Sequence, residues 1–548
     1  MKRTLTLAII LLIVLNGFSQ SPLSIIPKPV SIIQPKGKTF LLKTEFPMIA
    51  PEKFMVQANY LKQAIQQQCA IELDLTSAKT SSGSFAAITI IEDSTLTHDE
   101  QYKLSINAKG IFIQINDARG LVNATQTLLQ LLPIYESKTA LLSPLEINDY
   151  PRFSYRGMHL DVVRHIFPLS YIKKYIDYLA FHKFNTFHWH LTDDQGWRME
   201  MKNYPKLNSI GSWRAATLIG HFKDNPPQYD STIYGGFYTK KEIKEVVDYA
   251  AVRAINIIPE IDIPGHSRAV IAAYPQLSTK PDTTWNVATT WGMYNRQNNV
   301  LAPKPETFRF LESVFEELLE VFPSKYIHVG GDECSKIWWK QDTASQAFMR
   351  LNGLKNETQL QTYFIEFIAQ FLKQKGRQTI GWHEINEGEL DTTTIVMNWG
   401  TEKQAIDAAS KGFSVINTPG RPLYFDHYQS QNPNDSLSIH GYNPLEAVYN
   451  YEPIPKAILD KGLESKIIGG QANVWTEYME TEKKVDYMVL PRMTALCETL
   501  WTPSAQKSYP DFLKRLEKNI TPRYQLWNSS WFKAYKKWDA SSKLPNVR

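Results

Sequence analysis

Tyr326-Ile-His-Val-Gly-Gly-Asp-Glu-Cys334 is a β-branched apolar run that ends in two glycines and then two adjacent carboxylates, Asp332 and Glu333. Tyr326 to Val329 has strand composition, and the glycines after it let the chain turn sharply and bring backbone close to a ligand. A solitary Asp-Glu pair at a strand end is ordinarily a solvated surface feature. Here the pattern recurs. From residue 152 the chain alternates strand and helix, with eight strand candidates: Gly157 to Val162, Thr186 to Leu191, Ile255 to Ile261, Tyr326 to Val329, Gln378 to Trp382, Thr394 to Trp399, Ser414 to Asn417 and Ile467 to Trp475. Amphipathic helical patterns lie between them: Leu169 to Phe181, Lys240 to Arg253, Pro305 to Val321, Glu357 to Lys375 and Thr401 to Ala409, with Lys483 to Leu500 after the last strand. Eight β/α units predict an α/β protein built on a (β/α)8 TIM barrel, in which the C-terminal ends of the strands carry the chemistry.

Outward from the barrel, residues 20–150 predict a small α+β domain. Its helical patterns are near Phe54 to Gln66 and Gly120 to Leu132, and its strand candidates are Ala86 to Ile91, Tyr102 to Ile106 and Ile111 to Ile115. Tyr150-Pro151 marks the boundary, the barrel is expected over 151–505, and 506–548 reads as a helical tail packed on it. At the N-terminus, Lys2 and Arg3 precede the apolar run Leu7 to Leu15 and the small residues around Ser19. Residues 1–19 therefore read as a signal peptide, with an exported, periplasmic or secreted protein as the expectation. The run is too short for a bilayer core that needs about 20 apolar residues, so no membrane insertion is expected once it is removed.

The chain has 548 residues, 43% hydrophobic and 21% charged. Without Lys2 and Arg3 its 60 basic residues become 58 against 55 acidic, a balance of +3 instead of +5, too weak to point to nucleic acid or an anionic membrane. Cys69, Cys334 and Cys497 allow at most one disulfide and have no metal-finger spacing. Fourteen Trp and 27 Tyr offer the ring surface that carbohydrate-handling proteins use, although rings are also core material.

Polar and indole groups recur at the predicted strand ends. Strand one begins at Arg156 and runs into Asp161 and Arg164-His165; strand two leads to Asp193 and Asp194, and strand three to Glu260, Asp262 and His266. Strands four to six supply Asp332-Glu333, Trp382-His383-Glu384 and Trp399; strand seven leads to Tyr424 and Asp426, and strand eight to Trp475 and Glu477. His188 and His190 share one strand face at a spacing that barrel metallohydrolases use. Further ligands are not obvious, and the other reading hydrogen-bonds one of them to a carboxylate such as Asp193. No metal and no cofactor are expected.

These residues resemble glycoside hydrolase family 20, the β-N-acetylhexosaminidases. The likeness spans Ile26-Pro-Lys-Pro29, the Gly120 to Leu132 helix, Arg156-Gly-Met-His-Leu-Asp161, His188-Trp-His-Leu-Thr-Asp-Asp194, His328-Val-Gly-Gly-Asp-Glu333 and Trp475-Thr-Glu477. It implies a carbohydrate substrate with a terminal β-linked N-acetylhexosamine, exo-acting hydrolysis with retention, and attack by the substrate's own 2-acetamido oxygen through an oxazolinium-like intermediate. Consecutive residues on extended chain point opposite ways, which suits unequal roles for the carboxylate pair. By the resemblance Glu333 is the general acid and base, Asp332 orients the acetamido group, and Tyr424 holds its oxygen. Trp382, Trp399 and Trp475 would box the acetyl methyl and the sugar ring. Arg156, Asp426 and Glu477 would grip ring hydroxyls, with Asp193 and His266 as a supporting relay. Burial and the neighbouring Asp332 are expected to raise the Glu333 pKa. A lacto-N-biosidase-like relative and an inactive sugar-binding barrel remain alternatives. Oligomeric state is not legible.

Overall fold

The computed structural model describes residues 23–78, 87–388 and 390–537. The proposed signal peptide and the last eleven residues of the tail lie outside them, as does Ala86. The barrel closes from eight parallel strands, numbered β1 (Tyr155–Asp161), β2 (Thr186–His190), β3 (Asn256–Glu260), β4 (Tyr326–His328), β5 (Gln378–Trp382), β6 (Ile395–Asn398), β7 (Ser414–Asn417) and β8 (Ile467–Ala472). β1 pairs with β8 at Arg156↔Gly470, which completes the ring. Every expected strand is present; β5 and β7 have the expected bounds, and the other six end one to three residues short of them, where the chain leaves the ladder at the mouth.

The helices between strands are amphipathic for a simple reason: one face packs on the outside of the barrel and the other meets water. Leu169–Phe181 buries Tyr171, Ile172, Tyr175, Ile176 and Leu179 against the strands. Lys240–Val252 begins at a capping box, with the Thr239 side chain and Glu242 satisfying each other's backbone N–H groups. The expected single helix over Lys483 to Leu500 is instead two, Glu482–Val489 and Arg492–Trp501. Pro491 separates them, since proline has no N–H to donate and its ring crowds the preceding turn.

Before the barrel lies a seven-stranded mixed sheet with two helices, Met55–Cys69 and Ala118–Leu131. Four of its strands were not expected: Ser31–Ile33, Phe46–Ala50, Leu73–Ser77 and Leu145–Asp149, all of three to five residues; the first two show no alternation, and the last two alternate over too few residues to stand out. The two units are joined through buried charge and one indole. Trp501 sits in the core of the small unit and donates its N–H to Asp149, whose other oxygen takes 2.8 Å contacts from the fully buried Lys183 ammonium. After the barrel, helices Tyr509–Arg515 and Thr521–Leu526 bury Phe512 and Tyr524 against the barrel core. The three cysteines are buried and unpaired.

Candidate active site

At the C-terminal mouth of the barrel a cavity of about 900 Å³ opens to solvent. Its walls include Asp193, His266, Asp332, Glu333, Trp399, Tyr424, Asp426, Trp475 and Glu477. The strand-end rule thus brings nine of the eleven expected residues to one cavity. Trp382 and Arg156 are the exceptions. Trp382 is fully enclosed in the layer below, its ring centroid 6.0 Å from that of Trp475 and its indole N–H donated to Glu260 at 2.8 Å.

Arg156 is a correction. It is the second residue of β1, at the end of the barrel opposite the mouth, where its guanidinium pairs with Glu100 of the small unit and stacks 5.0 Å from the Trp501 ring. An arginine that opens a strand points its neighbourhood toward the floor. The cavity instead takes Arg164, three residues past the end of β1, which bonds Asp193 at 2.8 Å, lies 3.9 Å from Glu477 and packs its guanidinium 5.2 Å from the Trp475 ring. Its position after the strand rather than before it was the signal that distinguishes the two.

The tip of β4 explains how Asp332 and Glu333 part company. Gly330 and Gly331 have φ of +66° and +95°, and Glu333 itself has φ +40°, so the chain coils through left-handed backbone just after the strand. No side chain fits at Gly330, because a Cβ there would lie 1.7 Å from Asp262 Oδ1. The coil leaves the Asp332 side chain 13% exposed and that of Glu333 47% exposed. One carboxyl is tucked into the wall and the other projects into the cavity.

Electrostatics separates them further, though not as the sequence suggests. Burial raises the Asp332 pKa to about 6, His266 opposing and Glu333 adding to the rise. Glu333 moves the other way: a hydrogen bond from His266 holds it below its ordinary value despite partial burial. The expected rise at Glu333 is therefore corrected for the open site, because a cation stands behind it. For His266, burial disfavours charge, but Asp193 outweighs it and lifts the pKa well above the ordinary histidine range. His266 Nδ1 donates to Asp193 Oδ1 at 3.0 Å, while Nε2 lies 3.5 Å from Glu333 and 3.8 Å from Asp332.

Two further carboxyls went unassigned in the sequence. Glu384 accepts the Trp399 indole N–H at 3.0 Å, and burial, followed by repulsion from Asp332, raises its pKa to about 8. Glu260 sits beneath the floor among His188, His190 and His328. These rings and carboxylates are close enough to suggest metal ligation. His190 bonds both Glu260 and Asp193, as one reading of the sequence anticipated, and Gln471 donates to His188 Nδ1 at 3.0 Å, while Nε2 of His159, of His188 and of His328 has no hydrogen-bond partner. On the far wall, burial pushes the Tyr424 phenol well above its usual pKa, which keeps its hydroxyl a donor, and Asp426 and Glu477 are likewise raised by burial.

Carboxyls of raised pKa between indole walls, at the mouth of a parallel eight-stranded barrel, are the makings of an enzyme site for acid–base chemistry. Comparison with known proteins makes this specific. The family model for the glycosyl hydrolase family 20 catalytic domain matches residues 153–504, and that for family 20 domain 2 matches residues 22–150. A β-hexosaminidase of Porphyromonas gingivalis is 40% identical over 504 residues, covering 90% of this chain and 62% of that protein, so the chain spans less than two thirds of that relative. A β-hexosaminidase of Vibrio furnissii is 38% identical over 482 residues, covering 86% of this chain and 76% of that one. The crystal structure of a family 20 exo β-N-acetylglucosaminidase from Vibrio harveyi in complex with N-acetylglucosamine superposes with TM-score 0.82 at 33% identity, over 93% of this chain and 78% of that one. The chain belongs to glycosyl hydrolase family 20, and it is a glycoside hydrolase.

Proposed function

We propose that the protein is an exo-acting, retaining β-N-acetylhexosaminidase that removes terminal N-acetylglucosamine or N-acetylgalactosamine by substrate-assisted catalysis. The observation that carries this reading is the division of labour at the β4 tip: one exposed carboxyl backed by a cationic histidine, beside one buried carboxyl with a pKa of about 6. Two carboxyls acting as acid and nucleophile must face each other about 5 to 5.5 Å apart across the sugar. Neighbours in the chain that differ this much in exposure do not offer that arrangement, so the nucleophile comes from the substrate.

In the reaction the acetamido oxygen attacks the anomeric carbon and the glycosidic C–O bond breaks. Glu333 gives its proton to the departing oxygen, and then takes one from the water that opens the oxazolinium. Asp332, as an anion, accepts the acetamido N–H and stabilises the positive charge; the Tyr424 hydroxyl steadies the attacking oxygen. Water leaves when sugar fills the cavity, which raises the Glu333 pKa toward that of an acid. Trp399 and Trp475 pack the acetyl group and ring, while Arg164, Asp426 and Glu477 are placed for the ring hydroxyls. Arg164, 3.9 Å from Glu477, and Asp426 on the same cavity wall support recognition of a single terminal sugar.

The test measures release of p-nitrophenol from β-N-acetylglucosaminide, β-N-acetylgalactosaminide and plain β-glucoside. Activity confined to the two N-acetyl substrates, and lowered about 10² to 10⁴-fold in Glu333→Gln, is expected. Equal hydrolysis of the plain glucoside would remove the substrate-assisted mechanism. The Lys2-Arg3 pair and the Leu7 to Leu15 run further support export, checked by mass spectrometry of the mature N-terminus.

A further inference from the structure

Behind the cavity wall the relay does not stop at Asp193. His190, at the end of β2, donates Nε2–H to Asp193 Oδ2 at 2.9 Å and Nδ1–H to Glu260 Oε2. Both acceptors are carboxylates, and an ionised carboxylate has no hydrogen to give, so both ring nitrogens must carry one and the ring is an imidazolium. Glu260 is fully enclosed, and its neighbours favour the anion: Trp382 donates its indole N–H to Oε1, and His188, whose Nδ1 accepts from Gln471, presents Nε2 at 3.1 Å to Oε2. A buried anion with one partner removed is costly, so this arrangement is held by mutual need. Neither Glu260 nor His190 lines the cavity, so neither can touch a sugar.

We propose that the Glu260–His190 ion pair is a positioning pair, a second tier of the site that fixes the Asp193 carboxylate and, through the His266 cation held by it, sets the pH range over which Glu333 carries the catalytic proton. This rests on the reading of Glu333 as general acid. The path is short and continuous: Glu260 to His190, His190 to Asp193, Asp193 to His266, and His266 to Glu333 at 3.5 Å. Because Asp193 uses Oδ2 for His190 and Arg164 and Oδ1 for His266, its orientation, and through it that of the His266 ring, follows from the tier below.

The groups facing the pair are few. From β1 comes His159, whose pKa burial and the neighbouring rings hold well below the ordinary value. From β2 itself comes His188, lowered by burial to about 4, and from β4 comes His328. Above lie Asp193 with Arg164 and His266, and Glu260 also acts on Asp262 and Asp332. Burial opposes charge on His190, but Glu260 and Asp193 raise it to about 10, in accord with the hydrogen-bond argument. The pair thus adds no net charge while directing its positive end at Asp193.

Removing the cation alone leaves Glu260 uncompensated and makes the site more negative. In His190→Asn the alkaline limb of kcat/KM against pH is expected to move up by about one pH unit. In the double variant His190→Asn with Glu260→Gln, which removes both charges, the limb returns toward the wild-type value. A structural role alone would lower kcat and leave the limb where it was; that result in a folded single variant overturns the proposal, as does a double variant that keeps the shift. Should the variants not fold, neutron diffraction of the wild-type protein near pH 7.5 decides: hydrogen on both ring nitrogens of His190 is expected, and hydrogen on one overturns it. Failure of the wild-type protein to cleave N-acetyl glycosides would overturn instead the reading of the site on which this rests.

Discussion

Asp332 holds its proton to about pH 6 in the open site because burial penalises its anion. The proposed mechanism uses the anion, so kcat/KM is expected to fall as pH drops below about 6, and the residual activity of Asp332→Asn should lose that acid limb. The same shift has a stability sign. Below about pH 4 the carboxyl is neutral in both folded and unfolded chains; between about pH 4 and 6 the unfolded chain has released its proton and the folded chain keeps it, so folding weakens across that window and levels off above it. Asp332→Asn should therefore raise the melting temperature at pH 7.5 and leave it nearly unchanged at pH 4, a difference on the order of 2 kcal/mol. An equal effect at both pH values would show that burial of the charge is not the cause. The residue types that matter were legible one by one, since nine of the expected eleven meet in the cavity. Charge states were not. Whether Glu333 is raised or lowered depends on His266, which comes from a strand end 67 positions earlier in the chain.

At the scale of elements, the tip of β4 is the piece that separates the two carboxyls, and its left-handed glycines are what make it. Gly330→Ala places a methyl on backbone at φ +66° and drives it into Asp262. The expected cost is about 3 kcal/mol or more, seen as a lower denaturation midpoint, with activity lost alongside. Wild-type stability in that variant would mean the loop can relax. After β5, Glu384 anchors the indole of Trp399. Glu384→Gln keeps an acceptor and should retain KM, whereas Glu384→Ala frees the indole and should raise KM several-fold with a smaller change in kcat, roughly the loss of one hydrogen bond worth about 1 kcal/mol. Period and composition located the barrel strands well because each is a short, buried, largely apolar or aromatic run bounded by turn residues. The short edge strands of the small unit escaped notice because three to five residues carry almost no pattern even where they alternate, and the break at Pro491 was hidden by apolar spacing that runs on across it.

Across the whole molecule, the small unit and the barrel share a buried polar seam. Lys183 from the barrel bonds Asp149 and the Tyr102 hydroxyl of the small unit, Trp501 fills the small unit's core, and Arg156 meets Glu100. Lys183→Ala would leave Asp149 buried without its cation, at a cost of about 3 to 5 kcal/mol. Calorimetry should show a lower and less cooperative transition, while KM for a small glycoside stays close to wild type because the seam lies at the end of the barrel away from the cavity. A large change in KM would indicate coupling through the barrel. The sequence by itself determined the eight-unit rhythm, the mouth positions and the family likeness, because those depend on local pattern and on residue type at strand ends. Only the tertiary structure decided that Arg156 is spent on Glu100 of the small unit, that Trp382 lies beneath the cavity, and that His266 stands as a cation behind Glu333. Those outcomes depend on which end of a strand a side chain leaves from and which distant charge it meets, and folding alone brings these together.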